Sequence, residues 1–303
     1  MLSDYTAHAK VILIGEHAVV YGADALCIPM LNLTLHAHVA YDEQGPILET
    51  EGYCGPFEQA PEIYNGIMYL FQELVVKRQQ DTHCRLTLDS RIPMARGLGS
   101  SAASALATIK AFDQYFQLGL SEDGVTVLGN HAEDIVHGKA SGLDFATVRS
   151  EKLVSFNRAT GFNHIDGKLG AYLVIADTGA EGSTKEAVAM VRQQRDASEQ
   201  NRERLDYLGV LSDQAAQAWV QQDVLKLGDI CNQAQEILAS FGVSTPMIDL
   251  LVDTAREAGA LGAKLSGSGL GGVVIALTQT REQAQQVAQA LSGKASGVWV
   301  EEL

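Results

Sequence analysis

No stretch of this 303-residue chain approaches the ~20 consecutive apolar residues that a membrane-spanning helix needs. Met1–Lys10 has no basic segment leading into an apolar one, so a secretory signal is not expected either. Cysteine is sparse. Cys27, Cys54, Cys84 and Cys231 stand far apart without a Cys-x-x-Cys pair, which argues against a zinc ribbon or a disulfide framework and for reduced thiols in a cytoplasm. Positive charge is also short, with 22 Lys and Arg against 37 Asp and Glu. A formal net charge of −15 repels phosphate backbones at long range, so neither nucleic acid nor an anionic membrane is an expected partner. A small anion still fits such a chain if helix N-termini, a few basic side chains and a divalent cation make one pocket locally positive. Proline is scarce, at six residues, and no low-complexity tract or long repeat appears, so extended disorder is not expected.

What is present is an ordinary apolar share, 46%, on a chain long enough for two cores. Lys10–Gly15 reads as a short buried strand. From Leu31 to Tyr41 apolar and polar residues alternate, which places Leu31, Leu33, Leu35, Ala37, Val39 and Tyr41 on one buried face. Helical spacing runs through Glu62–Lys77, Ala102–Phe116 and Glu122–His137, and Arg85–Asp89 alternates as a strand. Beyond a strand at Ala171–Asp177, helices are expected at Thr184–Gln194, in two pieces over Leu205–Ala239 with a break near Gln222, and at Pro246–Ala258. Strands at Ala263–Ser266, Val273–Leu277 and Val298–Glu301 and a helix at Arg281–Leu291 close the chain. Strands and helices mix without regular β-α alternation, which predicts an α+β fold. The polar, Gly-containing segment Asn157–Lys168 suggests a boundary, giving domains 1–165 and 166–303.

Four segments carry candidate chemistry. Gly97-Leu98-Gly99-Ser100-Ser101-Ala102-Ala103, preceded by Pro93 and Arg96, puts glycines and two serines where a helix begins. Unpaired N–H groups and the positive end of the helix dipole make that a phosphate site, or an ordinary turn with a serine cap. No G-x-x-x-x-G-K-[ST] occurs. Gly267-Ser268-Gly269-Leu270-Gly271-Gly272 matches G-x-G-x-x-G, but a strand follows it rather than a helix, so it reads as a glycine-rich loop or a plain hairpin rather than a dinucleotide site. Glu133 and His137 share a helix face, with Ser141, Gly142 and Asp144 just beyond. Two carboxylates there suit phosphoryl transfer, one for magnesium and one for a hydroxyl, or belong to a solvated helix face followed by a capping Asp; His131, Glu133 and His137 do not make the zinc motif H-E-x-x-H. Finally, Lys10 opens a strand that ends in Gly15-Glu16-His17, polar groups at a strand end.

Taken in order and spacing, Lys10–Gly22, Pro93–Ala103 and Ala263–Gly272 resemble the three signature segments of the galacto-, homoserine, mevalonate and phosphomevalonate kinase (GHMP) superfamily. Lys-Val-Ile-Leu-x-Gly-Glu-His-Ala-Val-Val-x-Gly and His137-Gly138-x-x-Ser141-Gly142-x-Asp144 are similar to mevalonate kinases. That resemblance implies a GHMP kinase fold, with an N-terminal domain like ribosomal protein S5 domain 2, a C-terminal ferredoxin-like α/β sandwich and a cleft between them. It further implies ATP and mevalonate as ligands, Mg²⁺ as cofactor and transfer to the C5 hydroxyl. Residues Pro93, Arg96 and Gly97–Ala103 would take the nucleotide, including Leu98, Gly99, Ser100 and Ala102. Ser101 and Glu133 would hold the metal, Asp144 and Lys10 would be catalytic, and Glu16, His17, Ser141, Gly142 and Thr184 would line the substrate. Gly267, Gly269 and Gly271 would shape the cleft. A homodimer is compatible with the apolar helix faces.

The chain departs from the family pattern at His8-Ala9, in place of Pro-Gly, and at Ala140, in place of Pro. Neither change removes a functional group. Two rivals remain: a sister kinase for phosphomevalonate, homoserine or another small alcohol, and a catalytically silent ATP-binding sensor.

Overall fold

The computed structural model describes residues 3–138 and 141–303; Met1, Leu2, Lys139 and Ala140, the last of these the departure noted above, lie outside the described residues. In chain order the first half forms β1 (Ser3–Ile14), β2 (Ala25–Tyr41), β3 (Ile47–Thr50), β4 (Tyr53–Pro56), α1 (Asn65–Phe71), β5 (Cys84–Ser90), α2 (Ser100–Phe116), α3 (Glu122–His137) and α4 (Leu143–Val148). The second half continues with β6 (Leu153–Asn157), β7 (Gly161–Ile165), β8 (Tyr172–Asp177), α5 (Thr184–Ala197), α6 (Glu199–Gln221), α7 (Val224–Ser240) and α8 (Pro246–Glu257). It ends on β9 (Gly262–Ser266), β10 (Val273–Thr278), α9 (Arg281–Ser292) and β11 (Gly297–Glu302).

Two compact units emerge. Unit 1 comprises Met1–Lys10, Leu33–Met94 and Gly99–Glu151, and unit 2 comprises Val11–Asn32, Ala95–Leu98 and Lys152–Leu303. The partition is interleaved, where the sequence suggested the successive stretches 1–165 and 166–303. The segment Asn157–Lys168, expected to be a polar boundary, contains β7, which pairs antiparallel with β6. Phe162, His164 and their neighbours are largely exposed, so this hairpin lacks the apolar alternation that would have announced it.

In unit 1, Leu35–Tyr41 of β2 pairs antiparallel with β5, β5 runs parallel to β3, and β3 turns back into β4. Leu33, Leu35, Ala37 and Val39 are buried as their spacing predicts. Leu31 and Tyr41, expected on the same face, are 45% and 60% exposed; Tyr41 is the last residue of β2, where cover runs out, whereas Leu31 lies within the strand, where the alternation is interrupted by two consecutive exposed residues, Leu31 and Asn32. The aromatic core links elements distant in sequence: Phe57 stacks on Phe71 with ring centroids 4.2 Å apart, and Phe71 meets Phe112 of α2. Helices α1, α2 and α3 pack on one another, with α4 against α2 and α3. The helix expected over Glu62–Lys77 is instead a 3-10 turn, α1 and a π-helical turn at Gln72–Val76 in succession.

In unit 2, the four-stranded sheet has the order β11-β8-β10-β9, with every neighbouring pair antiparallel. Counted from β8, that is 4-1-3-2 with helices between the first and second and between the third and fourth strands, the ferredoxin-like arrangement. Every side chain of β9 and β10 is buried, while α7, α8 and α9 pack on the sheet. Ala25–Cys27 of β2 pairs with β6 in the same unit. The break near Gln222 is a real helix end: Gln222 takes a left-handed conformation and Asp223 caps the next helix. Among the described residues no helix is long and apolar enough to cross a membrane.

Candidate active site

The residues singled out from the sequence fall into two groups. Lys10, Pro93, Gly99, Ser100, Ser101, Ala102, Ala103, Glu133, Ser141, Gly142 and Asp144 belong to unit 1. Glu16, His17, Arg96, Gly97, Leu98, Thr184, Gly267, Gly269 and Gly271 belong to unit 2.

The unit 1 group is built around the start of α2. Helices α3 and α5 to α9 each begin with a Ser, Thr or Asp side chain accepting a backbone N–H. Helix α2 does not; its N-cap is Gly99 at φ 71°, with no side-chain cap. Only glycine enters that region cheaply, and a Cβ on Gly99 would also stand 2.8 Å from Cγ of Lys10. The ordinary serine cap is therefore not what Ser100 and Ser101 provide, and the first-turn N–H groups are left for another acceptor. Leu98, Ala102 and Ala103 are core side chains, at most 1% exposed; from these three only the backbone can meet a ligand.

Ser101 Oγ donates to Glu133 Oε1. Glu133 lies on the buried face of α3, and burial pushes its carboxyl up to about 7, with the Ser101 hydrogen bond working against that rise and the charge of Asp144 adding to it. His137 Nε2 is 4.0 Å from the other Glu133 oxygen. Asp144 is the second residue of α4, which starts on Gly142 at φ 82°; Ser141 Oγ accepts from the Leu143 N–H at 3.3 Å and shapes the same turn. Asp144 Oδ1 is 2.8 Å from Lys10 Nζ, and the two differ sharply in exposure, 3% for the lysine and 39% for the aspartate. A buried ammonium thus holds a carboxylate that remains open to a ligand. Lys10, Ser101, Glu133 and Asp144 share one electrostatic neighbourhood within this unit.

Among the described residues no group of three or more His, Cys, Asp or Glu side chains could hold a metal. Ser101 and Glu133 offer something smaller, one hydroxyl and one carboxylate. Two hard oxygen donors are what magnesium takes from a protein when substrate phosphates and water complete the shell. The desolvated Glu133 carboxyl, which favours its proton in the absence of a cation, fits that group.

Unit 2 holds the rest. Glu16 and Lys264 form an ion pair, both all but fully buried. Lys264 also donates to Leu265 O at 2.7 Å, while Glu16 Oε2 is buried without a partner among the described residues. Lys264 was not singled out from the sequence; a lysine inside the wholly buried strand Gly262–Ser266 was the available signal, since a buried ammonium demands an anion. His17 adopts φ 59° and its Nε2 lies 2.9 Å from Ser268 O. A carbonyl only accepts, so Nε2 carries the proton; burial lowers the pKa of this ring and favours its neutral form. Thr184 Oγ1 is 3.2 Å from Ser268 Oγ. Arg96, expected at the nucleotide, is paired with Asp177 at 3.2 Å and donates to Gly179 O. The loop of Gly267, Gly269 and Gly271 joins β9 to β10 and is not a free hairpin: Leu270 N donates to Val243 O at 2.8 Å, and a Cβ on Gly269 would stand 2.4 Å from that carbonyl.

Comparison with known proteins identifies the family. The GHMP kinases N-terminal domain model matches residues 62–150, and the GHMP kinases C-terminal model matches residues 215–296. Mevalonate kinases of Pyrococcus abyssi and Pyrococcus horikoshii are each 32% identical over 311 residues, covering 95% of this chain and 92% of their own. The crystal structure of L. major mevalonate kinase in complex with R-mevalonate superposes with a TM-score of 0.86 at 25% identity, covering 99% of this chain and 95% of that one. With the same two domains, an alignment running nearly end to end and this fold, the chain belongs to the GHMP kinases and, among them, to the mevalonate kinase family.

Proposed function

We propose that this protein uses ATP and Mg²⁺ to phosphorylate the C5 hydroxyl of (R)-mevalonate, in the cytoplasm, as a step of isoprenoid precursor synthesis. The observation that carries the chemistry is the Lys10–Asp144 pair, 2.8 Å long and open on the aspartate side, beside the uncapped start of α2. The domains 1–165 and 166–303 are proposed as the two family domains, and each family match falls on one side of that cut.

In this reading the first-turn N–H groups of α2 and the Ser100 hydroxyl bind phosphate oxygens of ATP. Ser101 and Glu133 hold the magnesium ion, which supplies charge neutralisation on the phosphates when bound. Lys10 orients Asp144 and adds positive charge where the γ-phosphate develops negative charge. Asp144 accepts the proton of the C5 hydroxyl as the new O–P bond forms and the bond from phosphorus to the β,γ-bridging oxygen breaks, leaving ADP. Positioning and electrostatics supply most of the barrier reduction in such transfers. Glu16, His17, Ser141, Gly142 and Thr184 are proposed to contact mevalonate, and the Gly267–Gly272 loop to support the phosphate loop.

Phosphomevalonate would need added positive charge for its second phosphate. At the Glu16–His17 corner Lys264 is neutralised by Glu16 and His17 is held neutral by burial, which favours mevalonate. The test is an ATP-consumption assay of purified protein with mevalonate, phosphomevalonate and homoserine. Turnover on mevalonate at a kcat/KM at least ~10²-fold above the others is expected; a preference for either rival would refute the assignment, and no turnover on any would favour the silent sensor.

A further inference from the structure

The catalytic machinery proposed above uses Glu133 of α3 but leaves the rest of that helix face unexplained. Five positions of α3, Glu122, Thr126, Gly129, Asn130 and Glu133, recur at three- and four-residue spacing and so form one stripe. Each meets the segment that carries Asp144 or the helix that carries Ser101. Arg149, just past α4, donates through its two terminal nitrogens to Thr126 and Glu122 and lies over the Phe145 ring at 5.7 Å. The Asn130 amide lies 3.5 Å from where a Cβ on Gly142 would be, and its Oδ1 is buried without a partner among the described residues. Glu133 receives Ser101.

At the centre of this stripe is an absence. A Cβ on Gly129 would stand 1.9 Å from Cζ of Phe145 and 2.1 Å from its Cε2, separations that no side chain could occupy. Phe145 is 1% exposed and follows Asp144 directly in the chain. Glycine inside a helix weakens it relative to alanine; α3 has a Ser121 cap and two acidic residues in its first turn, and of its two glycines Gly124 lies in that first turn while Gly129 is in the middle. The bare backbone at 129 serves the approach of the ring. Helix α4 has only six residues and begins on a glycine, so little within it fixes where Asp144 stands. Its seat is the Phe145 ring lying on α3.

We propose that Gly129 is a positioning residue for Asp144: the missing side chain lets Phe145 lie on α3 and so sets the aspartate against Lys10 and the Ser101–Glu133 pair. This rests on the reading of Asp144 as the group that acts on the hydroxyl. It differs from plain helix packing, as at Gly66 of α1, where the atoms nearest to an added Cβ belong to Ala132 and Val136 of α3 at 3.0 Å and beyond.

The experiment compares Gly129→Ala, Phe145→Leu, the double variant and Asp144→Asn, each assayed for kcat and for KM of ATP and mevalonate. Leucine lacks the Cε and Cζ atoms that the new methyl would strike. Expected is a kcat of Gly129→Ala lowered by ~10–100-fold, the range a displacement of about 1 Å produces, with the KM of ATP within about twofold of wild type. The double variant should return to the level of Phe145→Leu. Wild-type kcat in Gly129→Ala, or a double variant below Phe145→Leu, overturns the proposal. If Gly129→Ala is not obtained folded, the comparison of Phe145→Leu with the double variant decides alone. Full turnover in Asp144→Asn would instead remove the reading on which the proposal stands, so the two failures are separable.

Discussion

Asp144 and Glu133 lie in the same unit yet differ in exposure, which suits the different roles proposed for them. Asp144 is held by Lys10 and open to a ligand. Replacing it by asparagine keeps the shape and removes the group proposed to accept the proton, so turnover should fall by ~10²-fold or more while nucleotide affinity stays near wild type, as kinetics and nucleotide titration would show. Glu133, with its carboxyl pushed up to about 7, carries a proton below that pH in the metal-free protein. The folded state then binds more protons than the unfolded one between the usual carboxyl range and about 7, so this group's contribution to stability declines as pH rises through that window. On the proposed assignment, magnesium bound at Glu133 would have to displace that proton. Apparent Mg²⁺ affinity should rise by up to ~10-fold per pH unit below 7 and level off above it, and Glu133→Gln should weaken binding and flatten the profile. A pH-independent affinity in the wild type would remove Glu133 as the ligand. From the sequence, both carboxylates were visible as residues near a turn, but burial was not, and burial is what separates them.

The helix starts differ in how they are capped, and the difference separates an ordinary stability role from the ligand role proposed for α2. Ser121 caps α3 in the ordinary way, and Ser121→Ala should lower stability by about 1 kcal/mol in denaturant titration, with kcat unchanged. Gly99 is a different case. Alanine there would have to hold φ 71° and press on Lys10, so Gly99→Ala should lose more than about 1 kcal/mol of stability and also lower kcat through Lys10. Loss of stability without loss of kcat would confine Gly99 to a structural role. Regular elements were largely legible from spacing: α3 and the split between α6 and α7 emerge almost at the expected residues. The hairpins β3–β4 and β6–β7 were not, because four- and five-residue strands with half-exposed faces give too few positions for a period of two to register. Helix α4 was missed for the same reason of length.

At the scale of the whole molecule, the contacts that matter are those no local pattern reports. Glu16 and Lys264 are 248 residues apart in sequence and meet in a buried pair. Removing one partner strands the other charge, so Lys264→Met should cost about 3–5 kcal/mol, and adding Glu16→Gln to it should recover part of that loss. Chemical denaturation of the two variants checks this, and a double variant less stable than the single one would contradict it. The sequence named Glu16 from its motif but could not name its partner, since pairing over such a span depends on tertiary structure alone.

The interleaved partition has a consequence during synthesis. Val11–Asn32 is made well before Lys152–Leu303, the stretch with which it belongs, and it carries Leu13, Ile14, Leu26, Ile28 and Met30, which end fully or almost fully buried. At ribosomal speeds of roughly 5–20 residues per second, its partners are completed only some 10–50 s later. Over that interval a greasy early segment must stay out of trouble, which makes the nascent chain a natural client for holding chaperones and slow translation a hazard to its yield.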